Sequence, residues 1–151
     1  MKKFESVNEI LDFAIEQEQK AIDFYTELTE NARTEDMKLV FEEFIKEEIS
    51  HKARLMQIKT DGIMTLQEYK LKDLKIADYI VAEKSNNTLT YEQALRLAMN
   101  REKASFKLYT ALSEKVADSN LKKIFQLLAI EESKHKLRFE LEYDEYVLRE
   151  N

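Results

Sequence analysis

Glu48-Ile49-Ser50-His51 and Glu132-Ser133-Lys134-His135 hold the only two histidines of this chain, 84 residues apart. Glu18 and Glu102 are separated by the same 84 residues. Residues i and i+3 share one face of a helix, so each ExxH pair can reach a common point. Reading outward from Glu48 and His51, an apolar stripe runs through Met37, Phe41, Phe44, Leu55 and Ile58. Around Glu132 and His135 it runs through Leu121, Phe125, Leu128 and Phe139. Glu18 interrupts a stripe of Val7, Leu11, Ala14, Ala21, Tyr25 and Leu28. Glu102 and Ser105 interrupt Leu95, Ala98, Tyr109, Leu112 and Val116. Steps of three and four residues are the spacing of a helix facing a bundle core. The expected fold is therefore all-α, with four long helices whose stripes each carry a carboxylate near the middle.

Composition agrees. The chain has 151 residues, no proline, one glycine and no cysteine, with 44% hydrophobic and 36% charged residues. Little here could punctuate strands or tight turns. A net charge of −6 argues against partners such as nucleic acid or an anionic membrane. No apolar run reaches the roughly 18 residues of a membrane span. The absence of cysteine excludes disulfides, zinc ribbons and iron–sulfur clusters. No apolar segment follows Lys2 and Lys3, so no signal peptide is expected, and the expected location is cytoplasmic.

Helix ends are also signalled. Ser6-Val7-Asn8-Glu9 and Thr90-Tyr91-Glu92-Gln93 have the form of capping boxes. The second helix is expected to start near Thr34 or Glu35 and to stop before Gly62. The fourth is expected to start near Asp118 or Ser119. Residues 14–55 laid on 98–139 give 13 identities, among them Ala14/Ala98, Tyr25/Tyr109, Leu28/Leu112 and Phe41/Phe125. The chain thus reads as two helical hairpins. They are joined by a crossover at about 62–88, in which Leu74, Ile76, Ala77, Ile80 and Val81 predict a short helix. Hairpins joined by a long crossover form the ferritin-like arrangement, distinct from an up-down-up-down bundle.

Four glutamates at one level of a core repel one another unless cations lie between them. Two divalent metals would neutralise them. Carboxylates with one imidazole per metal suit iron first and manganese second; zinc, favouring a tetrahedron richer in nitrogen or sulfur, is the expected substitute. Glutamate fills 22 of 151 positions, so both histidines would follow a glutamate by three residues in roughly 2% of random placements (the square of that fraction). The repeated Glu18 and Glu102 make chance a weaker explanation still. Tyr25 and Tyr109, seven residues beyond those glutamates, read either as partners of a metal-bound carboxylate or as buried aromatics with satisfied hydroxyls. Glu47 and Glu131 point about 100° away from the ligand direction and are expected at the solvated surface. Met37, Phe41, Phe44, Phe106 and Phe125 are expected in the core, and the acidic tail from Glu140 to Glu150 as a solvated helix end.

At Glu18-xx-Ala21-xx-Phe24-Tyr25, Glu48-xx-His51, Glu102-xx-Ser105 and Glu132-xx-His135 the chain resembles the ferritin-like domain of the rubrerythrins, over about residues 6–148. The resemblance implies one ferritin-like domain over 1–151 and a centre of two iron ions. It implies Glu48 and Glu132 as bridging carboxylates, with Glu18, Glu102, His51 and His135 completing the ligand set. It also implies chemistry on hydrogen peroxide or dioxygen, and a homodimer. Typical members carry a rubredoxin domain with a four-cysteine iron site; here electrons are expected from a separate donor protein. Typical members also have an extra glutamate three residues after the third-helix ligand, a position held here by Ser105. That carboxylate is associated with iron movement during peroxide turnover, so its replacement bears on peroxidase activity. Besides a redox enzyme, two readings stay open: a ferroxidase or iron-storage protein, and a bundle whose metal site is purely structural.

Overall fold

The five α-helices of a computed structural model account for nearly all of the residues it describes, 3–81 and 89–150. Helix α1 spans Val7–Glu30, α2 Glu35–Asp61, α3 Glu68–Lys72, α4 Tyr91–Lys115 and α5 Ser119–Glu150. The long helices begin where the sequence marks them. Ser6 accepts from the Glu9 amide and Thr34 from the Met37 amide. Thr90 and Gln93 form a complete capping box, whereas at Ser6 the serine half is the bond that forms. Asp118 accepts from the Leu121 amide ahead of α5. Helix α2 ends at Gly62, whose φ of 64° is left-handed.

Helix α1 packs along α2, α4 along α5, and α1 also meets α4. The apolar interior forms two clusters. One gathers Ile10, Leu11 and Ala14 with Leu55, Leu108, Leu112, Leu121 and Phe125. The other gathers Ala21, Tyr25 and Leu28 with Met37, Phe41, Leu95, Ala98 and Phe139. The first half of α1 therefore lies beside the last halves of α2 and α4 and the first half of α5. This sets α1 antiparallel to α2 and α4, and α2 antiparallel to α5. Helix α2 ends at one end of the bundle and α4 begins at the other, roughly 37 Å away for 25 helical residues. Only a long crossover can make that connection.

The crossover differs from expectation. Instead of one helix through Leu74 and Val81, it contains the short α3 and a 3₁₀ turn at Ile76–Asp78. Leu74 and Ile76 are both buried two residues apart, a spacing that extended chain satisfies and a helix does not. Lys75 between them makes a single antiparallel bridge to Lys3. Residues 82–88 of the expected crossover lie outside the described residues. Among the described residues no helix is long and apolar enough to cross a membrane.

Two further expectations are corrected. Met37, Phe41, Phe44 and Phe125 are buried, but Phe106 is 39% exposed, because it stands one residue off the α4 stripe. The tail beyond Glu140 is not simply solvated. Glu142 is buried, takes two hydrogen bonds from Arg33 at 3.1 and 3.0 Å, and accepts from the Tyr91 hydroxyl at 2.8 Å.

Candidate metal centre

Between the two apolar clusters lies a polar layer. Glu18 from α1, Glu48 and His51 from α2, Glu102 from α4, and Glu132 and His135 from α5 are all at most 2% exposed. They are brought together because each sits at the midpoint of its own stripe, and the four midpoints stack at one level. Glu18, Glu48, His51 and Glu132 offer ligand atoms within 4.8 Å of one another; so do Glu48, Glu102, Glu132 and His135. Glu48 and Glu132 belong to both sets, and the other four residues to one each. The two imidazoles lie nearly parallel, at an interplanar angle of 16° with centroids 6.3 Å apart, as a twofold repeat demands.

The orientation of the side chains tests whether cations fit. His51 Nδ1 lies 3.0 Å from Glu18, 3.3 Å from Glu48 and 2.8 Å from Glu132. His135 Nδ1 lies 3.3 Å from Glu48 and 3.5 Å from Glu102. Yet both Nδ1 atoms, both Glu48 oxygens, both Glu132 oxygens and one oxygen each of Glu18 and Glu102 are buried without a satisfied hydrogen bond. These atoms are close but not aligned with one another. They converge on shared points between them, and groups so placed are satisfied by a bound cation. Four carboxylates and two imidazoles fit two divalent metals.

Without cations the charge balance is strained. Burial, then the Glu48 charge, pushes the Glu18 carboxyl well above its ordinary range. Burial, then the Glu102 and Glu48 charges, does the same to Glu132. Burial opposes ionisation of Glu48 too, but the closeness of His135, His51 and Glu132 outweighs it and holds that carboxyl low. Burial likewise opposes charge on the histidines. The carboxylates of Glu18 and Glu48 beside His51 nevertheless raise it to about 11, and those of Glu102 and Glu48 beside His135 raise it to about 11. Metals binding here would displace protons from these same groups.

Glu47 and Glu131, expected at the surface, instead support the site. Each is only partly exposed, and each meets the outward Nε2 of a histidine: Glu131 that of His51, Glu47 that of His135. The pairs cross between hairpins. A carboxylate on the far nitrogen fixes ring orientation and tautomer, leaving Nδ1 for a metal. These glutamates point away from the ligand direction on their own helices, and the neighbouring helix lies on that side. The repetition of Glu47 as Glu131 in the 14–55/98–139 alignment was the available signal.

The tyrosines differ. The Tyr25 hydroxyl donates to Glu102 across the hairpins, and burial followed by the Glu102 charge raises its pKa. Tyr109 is equally buried; burial, then the Glu18 charge, raises its pKa. Phe44 stacks on His135 with ring centroids 4.0 Å apart. A cavity of about 20 Å³ adjoins Glu48 and Glu102 at the seam of α1 and α4. Gln17, Arg101 and Ser105 line it, and Tyr79 and Val81 of the crossover cover it. That volume holds about one water-sized molecule.

A protein from Thermotoga maritima, described as a ferritin-like diiron-carboxylate protein, shares the fold with a TM-score of 0.77 and 24% identity, over 97% of this chain and 99% of that one. A hypothetical protein from Pyrococcus furiosus shares it with a TM-score of 0.72 and 25% identity, over 93% of this chain and 89% of that one. No curated protein sequence matches. The family model for rubrerythrin matches residues 9–143. Family and fold point to a di-iron protein, and the buried glutamate–histidine layer fits a metal site. Because that match spans most of its length, the chain belongs to the rubrerythrin family.

Proposed function

We propose that the chain is a di-iron oxidoreductase that reduces hydrogen peroxide or dioxygen with electrons from a separate donor protein. The observation that carries this reading is the pair of four-residue ligand sets sharing Glu48 and Glu132. In this reading Glu48 and Glu132 would serve both metals, Glu18 and His51 would complete one site, and Glu102 and His135 would complete the other. Two ferrous ions held there would supply two electrons for reduction of the oxidant. The protein's own contribution is positional. Glu47 and Glu131 hold the imidazoles, the Tyr25 hydroxyl holds Glu102, and the apolar clusters on either side keep bulk water out. The cavity beside Glu48 and Glu102 offers a small molecule a place next to these carboxylates.

Ser105 favours a second reading. It lines that cavity at the position where typical rubrerythrins, by resemblance, carry an additional carboxylate. A site without that group can oxidise iron and pass it on, as a ferroxidase does. Anaerobic ferrous titration of metal-stripped protein, followed by peroxide in one aliquot and air in another, separates the readings by absorbance. The expected outcome is saturation at two irons per chain and faster ferric absorption with peroxide. Faster development with air assigns ferroxidase or oxidase work, and the absence of stoichiometric iron binding refutes both.

A further inference from the structure

Two hollows meet beneath the crossover. The outer one is a groove of about 420 Å³ between α1 and the crossover, with Phe4, Asp12, Glu16, Ile76 and Ile80 in its walls. The inner one is the cavity of about 20 Å³ beside Glu48 and Glu102, where Ala21, Ala104 and Ser105 are small enough to leave room. Phe13, Gln17 and Val81 line both hollows, so these three side chains stand between the groove and the metal layer. Phe13 and Gln17 are one turn apart on α1, and Val81 closes the layer from the crossover. The inner end is polar. Both Glu48 oxygens and one Glu102 oxygen are buried without a hydrogen bond, and both residues line the cavity. At the outer end Glu9, Asp12 and Glu16 outnumber Lys20 and Lys59, which pair with Glu16 and Asp12; the remaining negative field favours a cation. Among the described residues the layer is closed elsewhere. Apolar clusters lie on either side of it, and Glu131 and Glu47 cap its histidines at the α2–α5 seam.

We propose that the groove between α1 and the crossover is the passage by which a divalent cation enters the metal layer, and that Phe13, Gln17 and Val81 form its constriction. Glu48 and Glu102 are then the first ligands on the path. The inner cavity holds about one water-sized molecule, so a cation with its hydration shell passes only when the constricting side chains move aside. The rate of metal uptake therefore reports on them, as product release reports on a lid. The passage requires the metal centre described above and is independent of its redox chemistry.

The chain has no cysteine, so one introduced at the constriction can be labelled alone. In metal-stripped full-length protein, Val81→Cys is converted to a methyl disulfide or to a bulky aromatic disulfide. Uptake of cobalt(II), the neighbour of iron(II) in the affinity order, is followed by absorbance in a stopped flow. The methyl form is expected to load two ions per chain within about threefold of the wild-type rate, and the bulky form at least about tenfold more slowly. Removing the label by reduction should restore the rate, which separates obstruction from misfolding. The same bulky label on Leu127→Cys, one turn before Glu131 at the opposite seam, should leave the rate unchanged. A bulky label at position 81 that changes neither rate nor stoichiometry overturns the passage, as does equal or greater slowing from position 127. A label at 81 that lowers the number of ions bound assigns Val81 to the structure of the site and overturns it too. Wild type that binds no cobalt refutes the metal centre itself, and the passage with it. Gln17→Cys carries the same labels if Val81→Cys fails to fold.

Discussion

Glu18, Tyr25, Phe41, Glu47, Glu48 and His51 of the first hairpin recur 84 positions later in the second, whereas Lys46, Ser50, Ala53 and Gln57 give way to Ile130, Lys134, Leu137 and Leu141. The first group faces the other hairpin and the second faces outward. Packing and the polar layer restrict the inner faces of both hairpins together, because each half completes the other's site. The outer faces answer to no such demand, and they have diverged in length as well as in polarity. Helix α2 ends at Gly62, whereas α5 runs on to Glu150 and buries Glu142 against Arg33 and Tyr91.

If the two halves contribute equally, removing the shared carboxylate of either must be equally damaging. Glu48→Ala and Glu132→Ala are each expected to abolish binding of two metals per chain, read by the ferrous titration. Retention of two metals by either variant breaks the equivalence and the ligand assignment with it.

Stability against pH probes the same layer in metal-stripped protein. Glu18 and Glu132 have folded pKa values above the ordinary 4.5, so the stability from their protonation falls as pH rises above that value. His51 and His135 are raised from 6.5 to about 11. Their contribution is complete below about 6.5 and is lost as pH climbs toward 11. Glu48 is lowered, and its contribution disappears only in acid below 4.5. The signs agree across neutral and alkaline pH: the melting temperature of stripped protein should fall steadily from pH 6 to pH 9. Bound metal, which needs deprotonated ligands, should remove or reverse that slope. A flat profile in stripped protein would mean that the layer is hydrated rather than dry.

The clamp at the end of α5 has no counterpart in the first hairpin. Arg33→Ala leaves the buried Glu142 carboxylate without its cation and should cost about 3 kcal/mol in denaturant unfolding. Tyr91→Phe removes one hydrogen bond and should cost about 1 kcal/mol. Glu47→Gln and Glu131→Gln should weaken metal binding by about 10- to 100-fold without abolishing it. Because these contacts cross, Glu47→Gln should add nothing to His135→Ala but should add fully to His51→Ala. The reverse result would place each glutamate on its own hairpin's histidine.

Much of this was legible in the sequence because helical periodicity fixes which side of a helix faces inward. The six residues of the layer, the helix starts at Thr34 and Thr90 and the stop at Gly62 all follow from that rule and from local capping. What escaped depends on what lies beside a given face. Periodicity gives Glu47 its angle on α2, but only the packed bundle shows His135 there. It leaves Glu142 in an acidic tail until Arg33 arrives from the α1–α2 connection. In the crossover, the apolar run from Leu74 to Val81 resembles a helix, although burial of Leu74 and Ile76 is met by extended chain.

The smallest predicted effect concerns how the first hairpin ends. Gly62 adopts φ 64°, its amide donates to the carbonyls of Ile58 and Lys59 at 3.2 and 3.3 Å, and an added Cβ would meet nothing within 4 Å. Gly62→Ala therefore introduces left-handed strain and no clash, and should cost about 1 kcal/mol. Gly62→Asn should cost less, because asparagine tolerates this conformation. Hydrogen exchange localises the effect: faster exchange is expected in the last turn of α2, near Ile58, with α5 unchanged. If alanine costs nothing, the end of α2 is held by the crossover packing of Met64 and Leu74 against the first apolar cluster rather than by its cap. The contrast between a helix that stops at glycine and one that continues to a buried clamp would then reflect tertiary packing at both ends.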